Sequence, residues 1–144
     1  MKRILLPVDV GDRGRLAAAI DEAVRIYSHE PVTVHLLNVQ PRLNGHVAMF
    51  FDADELDALR LSAGAEALEV AKALLKQHNV PSTSNVRIGR RAETIACAAR
   101  ELGCDRIVLG SKSTTGLAGM VFGSLAQQVR HLLGGSSSCQ VIGT

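Results

Sequence analysis

The residues best suited to chemistry lie in a segment rich in glycine, serine and threonine, between Gly110 and Ser124. A phosphate-binding loop must turn sharply and expose its backbone N–H groups to the anion, and glycine permits both. Lys112 adds a positive charge, and Ser124 offers a hydroxyl group where a helix is expected to begin. The N-terminus of that helix adds unpaired N–H groups and a positive dipole end. The segment therefore predicts a phosphate site; the alternative is a connection whose glycines only form turns.

Other candidate positions follow two further predicted strands. The first strand ends at Pro7-Val8-Asp9 and the second at Asn38-Val39, while Gly110 follows the fourth. Open parallel sheets bind ligands at the carboxyl ends of their strands, where the strand order reverses. The alternatives are purely structural roles, in which Asp9 caps the first helix and Val39 belongs to the core.

Motifs of the common nucleotide-dependent and hydrolytic enzymes do not occur in the sequence. It has no G-x-x-x-x-G-K-[ST], no G-x-G-x-x-G after the first strand and no G-x-S-x-G. No motif places a histidine or glutamate to activate water, and Asp9 is the one carboxylate expected near the loop. We therefore expect a binding protein rather than an enzyme, with at most a very slow ATPase activity.

Apolar periodicity predicts the elements that must position these residues. The strands are expected at 4–8, 32–39, 83–88, 106–109 and 140–142. The helices are expected around 16–27, and over 54–78, 92–102 and 124–133. This alternation predicts an α/β fold: one domain over residues 1–144, with an open parallel five-stranded sheet and helices on both faces.

Two of these helices carry apolar stripes that predict their buried faces. The long second helix has the stripe Leu56, Leu59, Ala63, Ala67, Val70 and Leu74. The last helix has the stripe Leu125, Val129 and Leu132.

Composition excludes several classes of function. Aromatic residues make up 3% of the chain and Trp is missing, which disfavours stacked-ring sites for single-stranded nucleic acid or flavin. The net charge of +2 comes from scattered residues, so no nucleic-acid partner is expected. No signal peptide and no apolar run of about 20 residues is visible, so we expect a cytoplasmic protein without membrane insertion.

The cysteines and histidines show no metal-ligand spacing. The chain has three cysteines, an odd number, and no C-x-x-C motif: Cys97, Cys104 and Cys139. We therefore expect them to be buried as small hydrophobic residues, in a reducing compartment. The five histidines form no paired ligand motif. No metal site made by the protein alone is expected.

Nearly the whole chain resembles the universal stress protein family. The similarity rests on segments around the predicted strand ends and after the fourth strand: 4–9, 36–39, 86–95, 105–111 and 116–129. It implies a Rossmann-like sheet of the adenine nucleotide alpha hydrolase type, with strand order 3-2-1-4-5. ATP-binding members carry G-x-x-G, nine residues, then G-[ST]. Gly110 matches the first glycine, and Gly123 with Ser124 matches the closing pair, but Ser113 stands where the second glycine would be.

The resemblance implies a role for each matching residue. Asp9 would lie near the base and ribose, and Val39 would meet the adenine through its backbone. Gly110 would let the ribose and phosphates approach. The phosphate oxygens would be held by Ser113, Gly123, Ser124 and the Leu125 N–H. The remaining expected contacts are Pro7, Val8, Leu109 and Lys112.

The function implied is an ATP-binding regulatory module in the stress response, with or without a bridging Mg²⁺ or Mn²⁺. The resemblance also implies a homodimer paired through the last strand and an unidentified protein partner. The Ser113 departure leaves an alternative open: a universal stress protein that binds no nucleotide and acts as a dimeric protein-interaction module.

Overall fold

The computed structural model describes residues 2–9, 13–41, 52–110, 125–134 and 139–143. Within these ranges, strands and helices alternate along the chain. The strands are β1 (Lys2–Pro7), β2 (Val32–Gln40), β3 (Ser82–Ile88), β4 (Arg106–Val108) and β5 (Gln140–Ile142). The helices are α1 (Arg13–His29), α2 (Ala53–Gln77), α3 (Arg91–Leu102) and α4 (Leu125–Leu133).

The five strands form one parallel sheet in the order β3-β2-β1-β4-β5. The chain builds outward from β1 to β3 and then returns to the other side of β1 with β4. The strand order therefore reverses between β1 and β4, and the carboxyl ends of these strands form the edge where such sheets bind ligands. The predicted α/β fold and its strand order are confirmed.

The central strand β1 is buried on both faces because helices cover both. Ile4 and Leu6 pack against α1 and α2, whereas Leu5 packs against α3 and α4. All three side chains are fully buried. A strand covered on both faces gains from an apolar residue at every position, which explains the unbroken apolar run in the sequence.

The buried face of α2 differs from the predicted stripe. Leu59 and Val70 are 54% and 55% exposed, and Ala63 is exposed as well. The residues that face the sheet and α1 are Leu56, Gly64, Ala67, Leu68, Ala71 and Leu75. Apolar side chains occur around most of this 25-residue helix, so periodicity alone could not select the face. The small residues Gly64, Ala67 and Ala71 determine which face is buried, since they let the helix approach the sheet closely.

A smaller correction applies to α4. Its buried residues are Ala126, Val129 and Leu133, while Leu132 is 36% exposed. Leu125 is partly buried against the same core cluster. The buried face of the helix therefore ends at Leu133 and not at the predicted Leu132, and it begins with the small residue Ala126.

The expectation that the three cysteines are buried is wrong for Cys97. Cys104 is buried and Cys139 is partly buried, but Cys97 lies on the exposed side of α3. Its Sγ–H donates to Glu101 Oε1 at 3.3 Å. Burial raises the pKa of the Cys104 thiol to about 11. None of the helices in the described ranges is both long and apolar enough to cross a membrane.

Candidate functional site

A crevice lies at the carboxyl ends of β1 and β4, between the first turns of α1 and α3. Seven of the predicted site residues line it: Pro7, Val8, Asp9, Val39, Leu109, Gly110 and Leu125. Val8 and Leu109 follow β1 and β4 and are buried, whereas Leu125 begins α4 and is partly buried. The structure thus brings together the strand-end residues that the sequence singled out.

The other four predicted site residues are Lys112, Ser113, Gly123 and Ser124, and all four lie outside the described residues. Gly110 and Leu125, which flank this segment in the chain, both line the crevice. The roles of the four residues as phosphate ligands stay predictions.

Two arginines in the crevice wall were missed by the sequence analysis. Arg15 lies in the first turn of α1, and Arg91 is the first residue of α3. Helices that follow parallel strands begin at the ligand-binding edge, so the topology itself brings both guanidinium groups there. The signal that could have found them is a basic residue in the first turn of a helix that follows a predicted parallel strand.

Arg91 is bound to the carboxylate that follows β1. Its Nη2 donates to Asp9 Oδ2 at 2.8 Å. The pair is partly open to water, since the side chains of Arg91 and Asp9 are 48% and 44% exposed. Pairs this exposed contribute about 0–1 kcal/mol to stability. Asp9 therefore has a partner, Arg91, which is not explained by the alternative that Asp9 only caps the first helix.

Arg15 is bound to the start of the glycine-rich segment. Its Nε–H donates to the carbonyl oxygen of Gly110 at 2.9 Å. The backbones also approach closely here, because a Cβ on Gly110 would lie 1.9 Å from the carbonyl oxygen of Arg15. Gly110 is thus required by close packing against α1, in addition to any approach by a ligand.

The crevice combines an apolar floor with a positive balance of charge at its rim. Leu37 and Ile95 join the apolar strand-end residues at the floor. The ionisable side chains among the described lining residues are Asp9, Arg15 and Arg91, which favours an anionic ligand. The crevice is partly open to solvent, and the space that water can occupy in it has a volume of about 30 Å³, room for about two water molecules.

Among the described residues, no three His, Cys, Asp or Glu side chains lie close enough together to hold a metal ion. Asp9 is the carboxylate that the described part of the crevice offers.

Comparison with solved structures places this fold among known proteins. Hypothetical protein MJ0577 superposes with a TM-score of 0.77 at 22% identity, covering 99% of this chain and 94% of that one. A universal stress protein in complex with cAMP superposes with a TM-score of 0.72 at 17% identity, covering 99% and 96%. Universal stress proteins of Archaeoglobus fulgidus with dAMP and of Arabidopsis thaliana with AMP give TM-scores of 0.63 and 0.61. At these identities the likeness shows the fold alone.

Comparison of sequences identifies the family. Universal stress protein Sll1654 of Synechocystis sp. is 28% identical over 142 residues, which is 98% of this chain and 83% of that protein. Residues 1–135 match the sequence profile of the Universal stress protein family. The chain therefore belongs to the universal stress protein family.

Proposed function

We propose that this protein binds an adenine nucleotide in the crevice between β1 and β4 and acts as a regulatory module in the stress response. The observation that carries the proposal is the meeting of seven predicted site residues with two arginines at one sheet edge. An apolar floor suits a purine base, and a rim with excess positive charge suits a phosphate. The relatives solved with cAMP, dAMP and AMP support an adenine ligand.

Each part of the nucleotide has a proposed place. The adenine lies against the apolar floor and meets the backbone of Val39. Asp9, which follows β1, accepts hydrogen bonds from the ribose hydroxyls. Gly110 begins the segment that carries the phosphates, and the Leu125 N–H lies at the N-terminus of the helix after it.

The preferred nucleotide in this proposal is ATP, with Mg²⁺ or Mn²⁺ bridging its phosphates. We also propose that the protein stores or senses the nucleotide rather than hydrolysing it, since phosphoryl transfer needs a positioned water or nucleophile. A cytoplasmic homodimer paired through β5, with a protein partner of unknown identity, completes the proposal.

Isothermal titration with AMP, ADP and ATP, with and without Mg²⁺, tests nucleotide binding. Native mass spectrometry of the purified protein reads co-purified nucleotide and subunit number in one measurement. We expect binding in the micromolar to millimolar range and a dimer. Absence of heat and of any thermal shift at millimolar nucleotide contradicts the proposal.

The departure at Ser113 favours a second candidate function. Serine stands where the ATP-binding members of the family have the second glycine of their loop motif. A chain that binds no nucleotide acts instead as a dimeric protein-interaction module. Ser113→Gly separates the two candidates, because binding that appears only in this variant favours the second one.

A further inference from the structure

Arg91 and Asp9 link two distant parts of the chain across the crevice. Arg91 begins α3, Asp9 follows β1, and 82 residues separate them in the sequence. Both side chains line the crevice. A hydrogen-bonded ion pair of 2.8 Å joins them, and both groups stay about half exposed. A pair of this kind is easily exchanged, because water already screens it.

The guanidinium of Arg91 suits a phosphate group. It is planar and carries five N–H donors, which match two oxygens of a phosphate as well as those of a carboxylate. Arg15 is placed differently, because its Nε–H holds the Gly110 carbonyl oxygen and so positions the start of the loop. Arg91 is thus a lining cation with an observed anionic partner, Asp9, which a phosphate can replace.

We propose that Arg91 selects a phosphorylated ligand by exchanging Asp9 for a phosphate oxygen when the nucleotide binds. The ribose hydroxyls then donate hydrogen bonds to the Asp9 carboxylate, and the Arg91 guanidinium donates to the phosphate instead of to Asp9. The inference rests on the proposed function and adds a phosphate contact outside the segment between Gly110 and Ser124.

The test compares the affinity for AMP with the affinity for adenosine, measured by titration at fixed ionic strength. In Arg91→Gln we expect AMP to bind at least about tenfold more weakly, since the loss of a hydrogen bond to a charged group lowers affinity by about this factor. Adenosine affinity is expected to change less than about twofold, because a nucleoside has no phosphate. Arg91→Lys keeps the charge and is expected to restore part of the AMP affinity.

Arg90→Gln is the matched control. Arg90 is the neighbouring residue, its side chain is 84% exposed, it pairs with Glu93, and it does not line the crevice. We expect neither affinity to change more than about twofold in this variant. Circular dichroism and Tm of each variant show whether it is folded.

The outcomes separate this inference from the function on which it rests. If the unmodified protein binds none of ATP, ADP, AMP and adenosine, the proposed function fails and this inference fails with it; if it binds ATP but not AMP, the same comparison is made between ATP and adenosine. If the unmodified protein binds AMP, but Arg91→Gln has the same ratio of AMP to adenosine affinity, the inference alone is overturned. An equal loss of both affinities in Arg91→Gln also overturns it, since the residue then supports the site without contacting phosphate.

Discussion

Asn38 on β2 donates its Nδ2–H to the main-chain carbonyl oxygen of Val8 at 3.0 Å. Asn38 is 3% exposed and is the one buried polar side chain among the described residues. The Val8 amide in turn donates to the carbonyl oxygen of Leu37 at 2.8 Å. The end of β2 therefore fixes the backbone that carries Asp9 into the crevice.

Asn38→Ala is expected to destabilise the fold by about 1–3 kcal/mol, because the buried Val8 carbonyl loses its side-chain donor. Urea unfolding followed by circular dichroism measures the change. Asn85→Ala is the control, since Asn85 is exposed on β3, and we expect a change within about 0.5 kcal/mol. Equal unfolding midpoints for Asn38→Ala and the unmodified protein would contradict the assigned role.

Gly110→Ala is expected to lower Tm by on the order of 5 °C, which corresponds to an overpacking cost of about 1–3 kcal/mol. The new Cβ would lie 1.9 Å from the backbone carbonyl oxygen of Arg15, and backbone atoms cannot rotate away. Gly89→Ala is the comparison, because its Cβ would meet the Thr94 hydroxyl, which belongs to a side chain, at 2.7 Å. Differential scanning calorimetry should show the larger loss in Gly110→Ala; a larger loss in Gly89→Ala would refute the packing argument.

The strands and the strand-end residues were predictable because buried parallel strands are visible as short apolar runs, whereas the strand order was implied only by the resemblance to the universal stress protein family. Ile4-Leu5-Leu6 is such a run, and Asp9 follows it. The face of α2 was not predictable in the same way. Leu59 and Val70 fit a helical stripe as well as the residues that are actually buried, and only the sheet that α2 covers decides between them.

The arginines of the site escaped prediction for a different reason. In a sequence, Arg15 and Arg91 look like ordinary solvated charges in the first turn of a helix. Their importance depends on the fold, because α1 follows β1 and α3 crosses from β3 back toward β4. The ion pair between Arg91 and Asp9 joins residues with no local relationship, so no short motif could indicate it.

Gly64 on α2 offers a test of the close approach between this helix and the sheet. Alanine is favoured over glycine inside a helix by about 1 kcal/mol, yet we expect Gly64→Ala to lower the free energy of unfolding. The reason is that its Cβ would lie 2.5 Å from Val86 Cγ1 and 2.7 Å from Val86 Cγ2. In a Val86→Ala background the cost should largely disappear, which a double-mutant cycle measures. Equal effects of Gly64→Ala in the two backgrounds would show that Val86 is not the obstacle.

The three cysteines should differ sharply in reactivity toward a thiol reagent such as DTNB at pH 8. Cys97 is exposed and is expected to react first, whereas Cys104 is buried and its pKa is raised to about 11 by that burial. Only the thiolate reacts, so Cys104 should react at least about a hundredfold more slowly than Cys97 until the protein is unfolded in urea. Absorbance at the wavelength of the released thiolate gives the rates, and Cys97→Ser should remove the fastest phase. A fast phase that persists in Cys97→Ser would contradict its assignment to Cys97, and loss of that phase in Cys104→Ser would contradict the burial of Cys104.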